Sequence, residues 1–324
     1  MSVPVEPSDD ARAATPGRRV PDFFIVGHPK CGTTALYDTL RRQPGIYMPA
    51  LKEPHFLASD VDARRGGVPR TLEAYLALFD EASPDQLLGE ASPSYLSSQT
   101  AAANIAALAP AAKIIAVLRE PASFLRSLHL QFLQSRIESE ADFEKAISVE
   151  RLRSKEVNGS DATTPAPRYF ERVRYVEQLR RYHDVFARED VLVLIYDDFR
   201  GDNEGTVRGV LRFLGVQEAV PIDVREANPT VRLRSRQLDD LIHSAALGRG
   251  PVMRGVKMGV KAVTSRRLRH GVLGMRSSVV YGEPEAPDER VMQELRRRFK
   301  GEVLALSEYL ERDLVTFWGY DSID

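Results

Sequence analysis

The sequence predicts an α/β protein with a central, mainly parallel sheet and helices on both faces, a three-layer fold. Three observations carry that expectation. Strand-length segments with apolar cores recur at 22–27, 87–90, 113–119 and 191–196, without the alternation of a sheet that has one wet face. Amphipathic stretches lie between them, the strand–helix alternation of a parallel sheet. Helix punctuation falls where that alternation needs it: Pro44-Gly45, Pro121 and Gly215 mark boundaries.

Each element follows in chain order. Residues 1–20 are rich in Pro, Ser, Asp, Ala and Arg with little to bury, and are expected to be a disordered tail. The rest, 21–324, is expected to be a single domain. The first strand, 22–27, runs through a loop into a helix over 33–43, with Leu36 and Leu40 one turn apart. Helices are expected at 71–79 and 100–108, each followed by a strand, at 87–90 and 113–119. Pro121 suits the first turn of a helix through about residue 137. Residues 150–167 read as an exposed loop. A helix over 169–187, the strand 191–196 and a helix over 204–214 follow. Residues 241–282 contain no Asp or Glu but carry Arg249, Arg254, Lys257, Lys261, Arg266, Arg267, Arg269 and Arg276. A charged amphipathic helix is expected over 287–313.

Composition excludes several classes. The 324 residues carry 45 Lys+Arg against 46 Asp+Glu, a net charge of −1, so no global positive field favours nucleic acid. The single cysteine, Cys31, excludes an intrachain disulfide framework and a cysteine-rich zinc site. No apolar run approaches the roughly 18 residues of a membrane span. The first residues lack an apolar core of a secretory signal, and the expected location is cytoplasmic.

The loop after the first strand is the most informative segment. Gly27-His28-Pro29-Lys30-Cys31-Gly32-Thr33-Thr34 lies between a strand and a helix. There small residues let the backbone wrap an anion, and the helix N-terminus offers free N–H groups. A nucleotide triphosphate loop would place lysine directly after the second glycine; here Thr33 stands there and the lysine is Lys30. The strand 113–119 ends in Arg119 where a nucleotide triphosphatase would carry a metal-binding acid. An arginine there binds an anion, and Ser127, eight residues on, could share it.

These residues resemble the sulfotransferases that use 3′-phosphoadenosine 5′-phosphosulfate (PAPS). Pro29-Lys30-Cys31-Gly32-Thr33-Thr34 is similar to their 5′-phosphosulfate loop, and Arg119-Glu120-Pro121 through Ser127 to their 3′-phosphate motif. Residues 191–216, with Ile195-Tyr196-Asp197-Asp198-Phe199, are similar to the strand and helix behind their site. The resemblance implies a P-loop-like fold and a donor site of Lys30, Cys31, Gly32, Thr33, Thr34, Arg119, Ser127 and Tyr196, with no metal required. Lys30 would hold the sulfuryl oxygens, the threonines the 5′-phosphate, and Arg119 with Ser127 the 3′-phosphate.

The acceptor must lose a proton as sulfur is attacked, which calls for a base. Lys52-Glu53-Pro54-His55-Phe56 resembles a segment of the heparan-sulfate-type and bacterial members in which the glutamate is the base. Glu53 is therefore favoured and His55 is the alternative, as histidine serves in cytosolic members. Gly89-Glu90-Ala91-Ser92-Pro93-Ser94-Tyr95 also resembles a family segment, with Ala91 in place of a frequent lysine; this weighs against a polyanionic saccharide. Glu90 is read as structural or acceptor-orienting.

In the basic stretch, Arg269-His270-Gly271 resembles the loop that closes over the 3′-phosphate, which adds Arg269 and Gly271 to the donor site. A solvated basic loop, or a membrane-surface contact through 249–276, are the other readings. Cys31 is read as a small buried packer. The expected function is sulfuryl transfer from PAPS to a hydroxyl or amine of a small-molecule, carbohydrate or lipid acceptor. The alternatives are a P-loop nucleotide or small-molecule kinase and a non-catalytic scaffold that binds PAP, the desulfated product of PAPS.

Overall fold

The computed structural model describes residues 18–60, 68–155, 169–222, 232–233, 281–282 and 286–323. The expected tail up to residue 17, nearly all of the basic stretch, and Arg269 and Gly271 lie outside the described residues. The chain divides into two compact units. One comprises Met1–Leu125, Arg168–Asn228 and Met292–Asp324; the other comprises Arg126–Pro167 and Pro229–Val291.

The first unit is built on a five-stranded parallel sheet. Its strands are β1 (Phe23–Gly27), β2 (Ile46–Tyr47), β3 (Leu87–Ala91), β4 (Lys113–Leu118) and β5 (Val191–Ile195), in the order β2-β3-β1-β4-β5. Every residue of β1 is buried, and Phe23, Phe24, Ile25 and Val26 have no exposed surface. That is the environment of a central strand covered on both faces, and it explains the unbroken apolar run. β1 pairs with β3 on one side and β4 on the other. The chain therefore winds outward from β1 in both directions, and the strand order reverses there. In such sheets the crevice beyond the carboxyl ends of the strands is where ligands sit. Gly27 is required at the end of β1: its φ is +141°, and a Cβ there would stand 2.6 Å from the carbonyl oxygen of Val117.

The helices of this unit around the sheet are α1 (Thr33–Leu40), α2 (Leu72–Leu76), α3 (Ala101–Leu108), the first residues of α4 (Pro121–Gln134), α6 (Tyr175–His183), α7 (Tyr196–Gly201), α8 (Asn203–Leu214), most of α9 (Glu289–Tyr309) and α10 (Leu314–Phe317). The second unit contains the remainder of α4, α5 (Phe143–Lys155) and the two-residue strands β6 (Arg232–Leu233) and β7 (Tyr281–Gly282), which pair antiparallel.

Three sequence expectations are corrected. Residues 150–155 are not loop but the end of α5, whose start is capped by Asp142 Oδ1 accepting from the Lys145 amide at 3.1 Å. The charged surface of that helix hides a short buried stripe at Ala146 and Ile147. The helix expected over 169–187 is broken at Arg174 (φ −83°, ψ 62°): a short turn, Phe170–Val173, precedes α6. Tyr196 does not end β5 but opens α7, where Asp197 and Asp198 occupy the first turn and suit its positive dipole end.

The chain's last segment is fastened to the ends of β4 and β5. Both Arg312 guanidinium nitrogens donate to Asp198, at 2.5 and 2.8 Å, and Trp318 Nε1 donates to Asp197 at 2.9 Å. Tyr320 donates its hydroxyl to Glu120 at 2.6 Å. Glu120 is itself the cap of α4, accepting from the amides of Ala122 (3.0 Å) and Ser123 (2.6 Å). Glu120→Ala should therefore remove a cap and strand a buried tyrosine hydroxyl, a loss of about 1–3 kcal/mol. Urea unfolding of Glu120→Ala, Tyr320→Phe and the double variant should give non-additive losses; an unchanged midpoint in Glu120→Ala would refute this role.

Candidate active site

The site is assembled where four strands end. The loop 28–32 leaves β1, Arg119 follows β4, Ser92 follows β3 and Tyr196 follows β5. Two loop residues are left-handed, Lys30 (φ 66°) and Gly32 (φ 83°). Gly32 is the N-cap of α1, and a Cβ there would press within 3.1–3.2 Å of the Phe199 and Tyr196 rings. The glycine thus brings the first turn of α1 close to α7. Thr33 and Thr34 open α1, so their amides belong to the free N–H groups of a helix start.

Arg119 ties these parts together. Its Nη1 donates to the carbonyl of Lys30 at 2.9 Å, and its guanidinium carbon lies 4.6 Å from the Tyr196 ring centroid. The Arg119 carbonyl accepts from the Tyr175 hydroxyl at 2.9 Å. Arg119 Nε is buried with no hydrogen-bond partner among the described residues. Ser127 is buried on α4 in the second unit.

Cys31 is fully buried, and burial pushes its thiol up to about 12. It is a packing residue, as read from the sequence, and carries no thiolate near neutral pH. His28 is also buried, between Phe124 and Tyr175 at ring-centroid distances of 4.8 and 5.6 Å. Burial and then the charge of Arg172 pull its imidazole down to about 3, so it stays neutral. Its Nε2 lies 2.9 Å from Gln178 Oε1. The cations of the loop region are thus Lys30 and Arg119, not His28.

The second cluster is docked on the end of β3. The Glu53 amide donates to the Ala91 carbonyl at 3.0 Å and the His55 amide to Ser92 Oγ at 3.3 Å. Both Glu53 (φ 61°) and His55 (φ 54°) are left-handed, a conformation that ordinary side chains adopt at a cost. Lys52 Nζ donates to Glu53 Oε1 at 2.7 Å, and His55 Nε2 lies 3.6 Å from Glu53 Oε2. The structure thus brings Glu53 and His55 together as one pair, with the carboxylate between a lysine and an imidazole. Such a carboxylate can accept a proton from a hydroxyl or amine.

Beneath this pair lies Glu90, fully buried on β3. Its Oε2 accepts from the hydroxyls of Tyr75 (3.0 Å) and Tyr95 (2.8 Å). Burial pushes its carboxyl up to about 7, against the opposing pull of Ser92, Tyr95, Tyr75 and Lys52. Sequence reasoning placed Glu90 near the acceptor side but missed the tyrosine pair, which comes from separate elements. Ser94 was also missed as a partner of His55.

The raised Glu90 carboxyl has a consequence for stability. The folded chain holds this proton more tightly than the unfolded chain, whose ordinary value is 4.5. Glu90 therefore contributes fully below about 4.5, and the contribution is withdrawn as pH rises to about 7. Relative to Glu90→Gln, the wild type should lose on the order of 3 kcal/mol across that window. Urea unfolding of both proteins at stepped pH measures the difference; a flat difference would contradict it.

A sequence model described as Sulfotransferase family matches residues 21–219. Carbohydrate sulfotransferase 15 of Homo sapiens is 43% identical over 75 residues, which is 20% of this chain and 13% of that protein. The Rattus norvegicus protein of the same name matches equally. The match thus spans a small part of the length of these relatives. Among solved structures, a sulfotransferase from Alicyclobacillus acidocaldarius is similar with a TM-score of 0.63 and 26% identity, covering 92% of this chain and 98% of that one. With its parallel sheet, its strand-end loop and a family match over 21–219, this chain belongs to the sulfotransferase family.

Proposed function

We propose that this protein transfers a sulfuryl group from PAPS to a hydroxyl or amine acceptor, with Glu53 as the general base. The observation that carries the reading is that a loop opening a helix, an arginine bonded to it and a carboxylate with a left-handed backbone all lie at the carboxyl ends of one parallel sheet. The residues suit the donor. The loop supplies a helix start and Lys30, and Arg119 has a buried Nε without a partner among the described residues. PAPS, when bound, supplies the sulfuryl group and a 3′-phosphate.

The chain's own residues then have separable tasks. The amides at the start of α1, with Thr33 and Thr34, bind the 5′-phosphate. Arg119 takes the 3′-phosphate, and the Tyr196 ring lies against its guanidinium. Lys30 provides a fixed positive charge toward the sulfuryl oxygens. Glu53 accepts the acceptor's proton, while Lys52 and His55 hold the carboxylate in place. We assign Glu53 the base role over His55 because it is the carboxylate on which both neighbours converge. A carbohydrate hydroxyl is the first acceptor class to test, given the name of the human and rat relatives. We further propose a cytoplasmic location; among the described residues no helix is long and apolar enough to cross a membrane.

Two measurements test this. Calorimetry should find PAP bound roughly 10- to 100-fold more tightly than AMP, the scale of one charge-assisted contact to the 3′-phosphate. Arg119→Ala should erase most of that preference, and equal affinities in the wild type would sink the donor assignment. With sulfur-labelled PAPS and a panel of saccharides, lipids and phenols, Glu53→Gln should lower kcat by roughly 10²–10⁴ while PAP affinity holds. Near-normal turnover in Glu53→Gln together with none in His55→Ala would transfer the base role to His55.

A further inference from the structure

Ser94 stands on the short turn Pro93–Tyr95 that follows β3. Its hydroxyl oxygen lies 2.7 Å from Nδ1 of His55, the ring nitrogen opposite the one that faces Glu53. His55 is therefore hydrogen-bonded to a hydroxyl at one nitrogen and faces a carboxylate 3.6 Å away at the other. A carboxylate only accepts, so it favours a proton on Nε2. With that proton in place Nδ1 carries a lone pair and must accept, which leaves the serine hydroxyl as donor.

We propose that Ser94 is a positioning residue for the transfer reaction: by donating to Nδ1 it fixes the tautomer of His55 that presents an Nε2–H to the Glu53 carboxylate. The inference rests on the reading of Glu53 as base. The 3.6 Å between Nε2 and Oε2 is longer than a full hydrogen bond, as catalytic contacts often are before substrates arrive. The backbone supports the same arrangement. The His55 amide is anchored on Ser92 Oγ, two residues before Ser94, so ring and serine are presented from one docked surface. Charged and titratable groups near the pair among the described residues include Lys52, bonded to Glu53, and Glu90, which accepts from Tyr75 and Tyr95.

Ring-¹⁵N NMR tests the tautomer without turnover. The protein has six histidines, and a His55→Phe variant assigns the His55 signals. At a pH well above the imidazole range, wild-type His55 should carry its proton on Nε2. Ser94→Ala should give a mixture of tautomers, and Ser94→Thr should restore the wild-type form. In turnover, Ser94→Ala should lower kcat about 3- to 10-fold, the scale of one hydrogen bond, with KM for PAPS within about twofold. The acid limb of its pH–rate profile should move upward, because a carboxylate with a weakened N–H partner takes a proton more readily. A wild-type proton on Nδ1, or a Ser94→Ala variant with unchanged ring spectrum and kcat, would overturn the proposal. The ring spectrum decides the role of Ser94 even if Glu53→Gln kept full turnover and removed Glu53 as the base.

Discussion

Arg119 is the interaction on which the site depends. One side chain grips the carbonyl of Lys30 in the loop after β1, lies against the Tyr196 ring after β5, and follows β4 directly. Its own carbonyl is held by Tyr175 from α6. A strained loop needs such a brace. Lys30 in the left-handed region costs on the order of 1–3 kcal/mol unless its surroundings fix it, and a charged donor on its carbonyl is the strongest fixing contact available to a backbone. The same cation that would meet an anionic ligand thus shapes the loop in which that ligand would lie.

Of the five described non-glycine residues with positive φ, three, Lys30, Glu53 and His55, belong to the proposed site, and Arg136 and Glu311 lie outside it. Each of the three in the site is tied by neighbours that belong to the sheet ends: Arg119 after β4, Ala91 at the end of β3, Ser92 just beyond it. The sheet therefore acts as the rigid reference against which both halves of the site are set. Fully buried β1 has no freedom to adjust, so displacement at one strand end is felt at the others.

Much of this was legible in the sequence because the relevant signals are local. Buried parallel strands read as apolar runs, and the loop after β1 is contiguous with its helix, so sheet, loop and Arg119 could be anticipated in order. Glu53 and His55 were legible as types through resemblance. What stayed hidden depends on packing between distant segments. Tyr75 and Tyr95 reach Glu90 from α2 and from the turn after β3, and nothing in either stretch marks that meeting. The hydroxyl of Ser94 finds His55 across 39 positions. Tyr196 was read as strand because an apolar run does not announce where the backbone turns helical. The acidic pair that follows it was the available signal, since acids gather at helix starts.

The fastening of Arg312, Trp318 and Tyr320 onto the ends of β4 and β5 bears on the order in which the protein can be made. Synthesis delivers β1 and its loop well before the residues that lock Asp197, Asp198 and Glu120. Until Tyr320 emerges, the cap of α4 lacks one of its partners, and α7 lacks the two side chains that hold its acidic turn. A chain that lacks residues 312–320 can thus still form its sheet, but without the contacts that hold the turns at the ends of β4 and β5.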